Sequence, residues 1–357
     1  MSEDGSADRG RRRFLKLLGL AGLGLAGCSR STGENDVLAQ QPAPVPAAER
    51  ETVVSPEATV VVVRCAEVVG NDGSLDAALV EEMVSAGVSA LSGEEDQAAA
   101  WGRYFEAGQR VAVKVNCLSG PPVATHPEVT DVVTRALQAA GIVAEDIVIY
   151  DRLTGELETC AFAVNKSGTG VQCYGTDRVG YDSAPTVIKE VGTCFSRIVS
   201  RGCDAIVNVP VLKDHDLAGL TGALKNHYGS VHNPNKLHGQ PEDRCSPYIA
   251  DLNCAELLRS KQRLIVYDAL MVCYEGGPGY KPETTVPYGA IMVATDPVAA
   301  DTVGLKLVDE LRVEHGLEAL AGSERDPKYL AVAGDEDHQL GSNDLGKIDM
   351  VERVVSA

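Results

Sequence analysis

The sequence predicts a doubly wound α/β fold: a mainly parallel sheet with helices on both faces and irregular insertions. Three observations carry the prediction. Short runs rich in Val and Ile recur along the chain, segments with helical apolar spacing fall between them, and the runs are apolar at successive rather than alternate positions. A strand apolar on both sides needs both sides covered, which is the pattern of a parallel sheet between helix layers.

Taken in order, the chain opens with an address. Arg11-Arg12-Arg13-Phe14-Leu15-Lys16, an apolar run over residues 17–27 and then Cys28 resemble a twin-arginine export signal ending in a lipoprotein cleavage site. The run has 11 residues and four glycines, whereas a spanning helix needs about 20 apolar residues. Residues 1–27 are therefore read as a signal peptide, Cys28 as the lipidated first residue of the mature protein, and the location as periplasmic or on the outer cell surface. Residues 28–56, rich in Pro, Ala and Gln and without apolar periodicity, read as a flexible tether. Residues 57–357 remain for one large α/β domain.

Within that domain, strands are expected at residues 58–63, 111–115, 147–150, 205–209, 264–267 and 290–294. Val129, Val132, Val133, Leu137 and Ala140 share one face of a helix that Pro127 can open and Gly141 can end. Irregular connections are expected around 151–190 and 231–250. In such a fold, ligands sit outside the carboxyl ends of the strands. Those ends hold the chain's unusual polar residues.

Four constellations stand out. Lys114-Val115-Asn116 ends one strand and is followed by Thr125-His126-Pro127, where His126 either caps and packs or does acid–base work. Lys213 and His215 lie two apart after residues 205–209, so in an extended segment both face one side, suited to an anion or to proton transfer. Gly219-Leu220-Thr221-Gly222 leads into Lys225, Asn226 and His227, an arrangement in which backbone N–H groups, an ammonium and an imidazole approach a ligand. Asp296-Pro297 reads as a helix start, and Asp301 as a metal ligand or the counter-ion of a lysine in the same crevice.

Composition narrows the partners. The net charge is −19, and removing the signal, which holds more basic than acidic residues, makes the chain more acidic still. Such a surface repels phosphate backbones and anionic lipids, which argues against nucleic acid and leaves the lipid anchor as the membrane contact. Ten cysteines are present without any Cys-x-x-Cys pair, which speaks against an iron–sulfur cluster held by local spacing. Sequence alone pairs no disulfides and sets no oligomeric state.

Lys114-Val115-Asn116, Thr125-His126-Pro127, Asn208-Val209-Pro210 running into Lys213-Asp214-His215, Gly222-Ala223-Leu224-Lys225-Asn226 and Thr295-Asp296-Pro297 through Asp301 together resemble the family called domain of unknown function 362, across about residues 58–335. The resemblance implies association with iron–sulfur proteins, because some members carry an added Cys-x-x-Cys segment, and with twin-arginine export. This chain lacks the cysteine pattern.

Three functional readings follow. In the first, an enzyme holds a small anionic or metal-complexed substrate on Lys114, Asn116, Lys213, Lys225, Asn226 and His227, with His215 or His126 as acid–base group and Asp296 and Asp301 as carboxylates for a divalent metal. A metal-assisted hydrolysis is its simplest form. The second reading is a redox or cofactor-holding protein, the third a non-catalytic solute-binding lipoprotein.

Overall fold

Each of the six Val/Ile-rich runs becomes a strand of one sheet. The computed structural model describes residues 58–357; Arg11, Arg12, Cys28 and the expected tether lie outside them. The strands are β1 (Ala58–Arg64), β2 (Val111–Lys114), β3 (Ile147–Tyr150), β4 (Gln172–Cys173), β5 (Thr186–Ile188), β6 (Val191–Thr193), β7 (Ala205–Asn208), β8 (Val211–His215), β9 (Gly219–Thr221), β10 (Gln262–Cys273), β11 (Thr285–Ala294) and β12 (Ile348–Val354). The α-helices are α1 (Ala77–Ser92), α2 (Gln97–Gly102), α3 (Pro127–Ala139), α4 (Thr154–Thr159), α5 (Thr176–Val179), α6 (Ala223–Asn226), α7 (Tyr248–Asn253), α8 (Glu256–Arg259), α9 (Pro297–Glu314) and α10 (Tyr329–Ala333). None of the described helices is long and apolar enough to cross a membrane.

The main sheet runs β12-β1-β11-β10-β7-β2-β3-β4, with β8 beside the far half of β10 and β9 beside β8; β5 and β6 form a separate hairpin. Strands β10, β7, β2, β3 and β4 are mutually parallel neighbours, and β12 is parallel to β1. The departure from a parallel sheet is β11, which is antiparallel to both β1 and β10. Its cause is connection length: residues 274–284 are too few for the helical crossover a parallel pair needs, generally a dozen residues or more. Apolar runs disclose that a strand is buried but not which way it points.

Burial on both faces follows from the alternation of side chains. Val61, Val63, Val113, Ile149, Val207 and Val293 pack against α1, α2 and α3 through Met83, Val84, Trp101, Val133 and Leu137. The alternate residues Val60, Val62, Ile265, Tyr267 and Met292 meet Ala299, Val303 and Leu307 of α9 on the other face. Each such Val, Ile or Leu stabilises the fold by about 1.5–3 kcal/mol. Helix α3 starts as expected, with Pro127 in its first turn, and the chain leaves it at Gly141, whose φ of 95° suits glycine.

Topology then positions the site. From β2 the chain passes through α3 to β3 and on to β4, moving outward, and afterwards returns to the other side of β2 as β7. Neighbouring strands whose connections depart in opposite directions leave a crevice at their carboxyl ends. Past Asn208, Pro210 interrupts the strand and β8 continues alongside β10, carrying Lys213 and His215 across that crevice.

Candidate functional site

The floor of the crevice is an ion pair between two strand ends. Lys114, the last residue of β2, donates through Nζ to Asp151 Oδ1 at 2.7 Å, to Asn226 Oδ1 at 3.1 Å and to the Val115 carbonyl. Asp151 directly follows β3, and its Oδ2 accepts the Cys117 N–H at 2.6 Å. Gly229 lies over the pair: a Cβ there would stand 2.5 Å from Asp151 Oδ1 and 2.7 Å from Lys114 Nζ, so only glycine leaves room.

A run of amides extends from this floor. Asn208 donates to Gln262 Oε1 at 2.8 Å and to the Ala223 carbonyl at 2.9 Å, and accepts from Asn226 Nδ2 at 2.8 Å. Asn226 Oδ1 also accepts from Asn116 Nδ2 at 3.2 Å, and Asn116 Oδ1 accepts from Lys213 Nζ at 3.0 Å. Each amide is oriented by the next.

Two ammonium groups then face the cavity without a carboxylate of their own. Lys213, 1 % exposed, donates to Asn116 Oδ1, to Ser119 Oγ at 2.7 Å and to the Val123 carbonyl at 2.8 Å. Lys225, 8 % exposed, has Nζ 3.4 Å from His238 Nε2 and 4.5 Å over the Tyr228 ring centroid. Burial draws each pKa down from 10.5 to about 8.

His215 accepts the Leu217 and Ala218 N–H groups on Nδ1, at 3.1 and 3.2 Å. Its proton therefore sits on Nε2. Burial, then Lys225, His238 and Lys213, push its pKa down to about 2, and the neutral ring offers Nε2 as a hydrogen-bond donor. The His238 ring stacks on it with centroids 5.9 Å apart.

The cavity these groups enclose measures about 580 Å³, its mouth included, and is also lined by Ser119, Arg152, Glu156, Thr221 and Tyr228. Arg152 and Glu156 are paired with each other. Thr221 Oγ1, on a residue 4 % exposed, has no hydrogen-bond partner, and neither do Arg152 Nε and Glu156 Oε2. A buried hydroxyl left unpaired at a cavity wall points to a ligand that completes it.

Of the expected site residues, Lys114, Asn116, Lys213, His215, Lys225 and Asn226 converge on this cavity. Four others do not line it. His126 heads α3 without capping it through its side chain; its backbone N–H and Nδ1 both meet Asp268 Oδ2, at 2.9 and 2.8 Å. Burial opposes its charge, but Asp268 outweighs burial and leaves the imidazole pKa raised. His227 is fully buried behind the floor, bonded to Gln262 Oε1 at 2.8 Å, and burial lowers its pKa to about 4.

Asp296 and Asp301 require a correction, because backbone donors already occupy both carboxylates. Asp296 caps α9 through the Val298 and Ala299 N–H groups and also accepts from Ser342 N. Asp301, fully buried, accepts from Ala223 N at 2.6 Å and Leu224 N at 3.1 Å, and so caps α6 from a distance. Among the described residues no group of three or more His, Cys, Asp or Glu could hold a metal, and the nine cysteines from Cys65 to Cys273 are free thiols. Asp296 and Asp301, so occupied, do not fit a metal.

Sequence reasoning missed Asp151, Ser119, Thr221, Tyr228 and His238. Asp151 had a usable signal, since it leaves a strand at the same level as Lys114. His238 had none, because it arrives from the irregular segment 231–250.

Fold and site together define an α/β protein with a cation-rich cavity at the switch point of its sheet. The family model described as Domain of unknown function (DUF362) matches residues 111–306, more than half of the chain, and the chain belongs to that family. No curated protein matches it. It is similar to two solved structures. One is a crystal structure of a Thermotoga maritima protein, at 13 % identity and TM-score 0.41, covering 66 % of this chain and 59 % of that one. The other is the lactate racemase apoprotein of Thermoanaerobacterium thermosaccharolyticum, at 15 % identity and TM-score 0.43, covering 65 % and 56 %. The chain thus spans less than two thirds of either.

Proposed function

We propose that the cavity between the β2 and β7 ends is the active site of an enzyme acting on a small anionic substrate. The observation that carries this reading is the pair of buried ammonium groups, Lys213 and Lys225, facing one cavity with no carboxylate partner in a chain of net charge −19. Burying an unpaired charge is costly, and a bound anion would compensate it.

In this reading Lys213 and Lys225 hold the anion, and Thr221 Oγ1 and His215 Nε2 donate to it. Lys114, Asp151, Asn116 and Asn226 keep the floor in place. Lys225 and His238, whose Nζ and Nε2 lie 3.4 Å apart, form the proton-transferring couple. That couple favours a reaction over solute capture alone.

Oxalate is a suitable probe for calorimetric titration. Wild type binds it, and Lys213→Ala and Lys225→Ala each weaken binding at least about tenfold, a loss of about 1.4 kcal/mol, with circular dichroism unchanged. Wild-type affinity in both folded variants refutes the site.

The proposal extends to location. The Arg11-Arg12 motif and Cys28 support twin-arginine export and a lipid anchor. Cys28→Ser is then expected to move the mature protein from the membrane fraction to the soluble one, and unchanged retention refutes the anchor.

A further inference from the structure

The geometry points to Lys225 as a covalent catalytic residue that forms an imine with the carbonyl carbon of a small 2-oxo acid, whose carboxylate rests on Lys213 and the Thr221 hydroxyl. This deepens the anion-site reading and rests on it.

Three observations converge. Lys225 lies in the cavity wall, 8 % exposed, between the Tyr228 ring at 4.5 Å and His238 Nε2 at 3.4 Å, with no carboxylate to hold it as a cation. An amine in such a setting is readily deprotonated and becomes a nucleophile. His238 is oriented to take the proton: its Nδ1 faces the Asn235 carbonyl at 3.3 Å, which leaves Nε2 as the acceptor toward Lys225. Lys213 differs from Lys225 in kind. Its ammonium already donates to Asn116, Ser119 and the Val123 carbonyl, so it is fixed as a positive point for a carboxylate rather than freed to attack. Both lysines line the same cavity as His215, so the two amines flank one compartment.

The chemistry balances within this set. The Lys225 ammonium gives one proton to His238 Nε2. The freed nitrogen attacks the carbonyl carbon as the C=O π pair moves to oxygen, and a proton passes from nitrogen to that oxygen to give the carbinolamine. The imidazolium returns its proton to the carbinolamine hydroxyl, the C–O bond breaks, water leaves, and the nitrogen lone pair closes the C=N⁺ bond. His238 ends neutral. A 2-oxo acid matches because its carboxylate adjoins the carbonyl, as the fixed cation and the unpaired Thr221 Oγ1 adjoin the amine. An iminium so formed draws electrons from the neighbouring carbon, which is the general use of lysine imines.

The test is reductive trapping on the full chain. Protein is incubated with pyruvate and sodium borohydride, and peptides are mapped by mass spectrometry. The expected result is a reduced adduct concentrated on Lys225, forming faster as pH rises through about 8, suppressed by excess oxalate, absent in Lys225→Arg and weakened at least about tenfold in Lys213→Ala. Protection of the wild type by oxalate needs no variant and stands if Lys225→Arg fails to fold. Adducts spread over surface lysines and indifferent to oxalate overturn the imine. The two readings fail separately: oxalate binding that depends on Lys213 without an adduct on Lys225 removes the imine and leaves the anion site, whereas no oxalate binding removes both.

Discussion

Lys225 opposes the stability of the fold that holds it. Its pKa falls from 10.5 to about 8 on burial, so between those values the native state binds fewer protons than the unfolded chain. The sign follows from linkage: the penalty for the buried cation is fully present below about pH 8 and fades as pH rises toward 10.5. Lys225→Met, which keeps the stem and removes the charge, is therefore expected to be more stable than wild type at pH 7, by up to roughly 3 kcal/mol. The gain disappears near pH 10.5. Buried thiols confuse the raw curve, because burial raises Cys173 to about 12 and Cys203 to about 11, and they withdraw stability over the same alkaline range. The readout is thus the difference between variant and wild-type denaturant midpoints at each pH. A difference that is absent at pH 7, or does not change with pH, removes the argument that the cation is held against its own solvation. A residue retained at a stability cost is the usual mark of function.

At the scale of elements, α6 is the part that decides whether the cavity exists. It has only four residues and carries Lys225 and Asn226, and its first N–H groups are held by Asp301 from 78 positions along the chain. Asp301→Ala leaves two buried N–H groups unpaired, at about 1–3 kcal/mol each, and loosens the helix that aims Lys225. Stability and oxalate affinity are expected to fall together in this variant. Gly222→Ala should do the same, since a Cβ there would stand 2.3 Å from Asp301 Oδ1. Loss of stability with unchanged oxalate affinity would separate α6 from the site. The same element shows why a carboxylate is hard to read in sequence: Asp301 looks like a ligand as long as its backbone partners are out of view. Asp296 carried two readings, and the one that its following proline marks, a helix start, is the one its backbone partners agree with. Strand positions were legible from apolar runs, and helix α3 from its spacing, while the direction of β11 depended on the length of a connection.

Over the whole molecule, the strand-end rule was the strongest guide to the site. It brought together Lys114 and Asn116 at the end of β2 with Lys213 and His215 of β8, residues separated by up to about a hundred positions. It misplaced His126, which also follows a strand end but turns to Asp268 instead. The rule locates a crevice, and hydrogen-bond partners decide which side chains enter it. Charge adds a second global feature, since a cavity lined by four cationic and two acidic side chains is set in a chain of net charge −19. An approaching anion meets the acidic surface before the lysines, and ionic strength decides how far each field reaches. The Debye length is about 30 Å at 0.01 M salt and about 8 Å at 0.15 M. At low salt the repulsion of the whole chain dominates the approach; near 0.15 M it is screened, while the lysines still act at contact distance. The association rate of oxalate, followed by stopped flow, is therefore expected to rise between those two salt concentrations. Chloride competing for the lysines lowers the rate, so a rise cannot come from competition. A rate that falls steadily from the lowest salt would show that the cavity's own field already governs the encounter, and that the acidic surface does not act as a barrier.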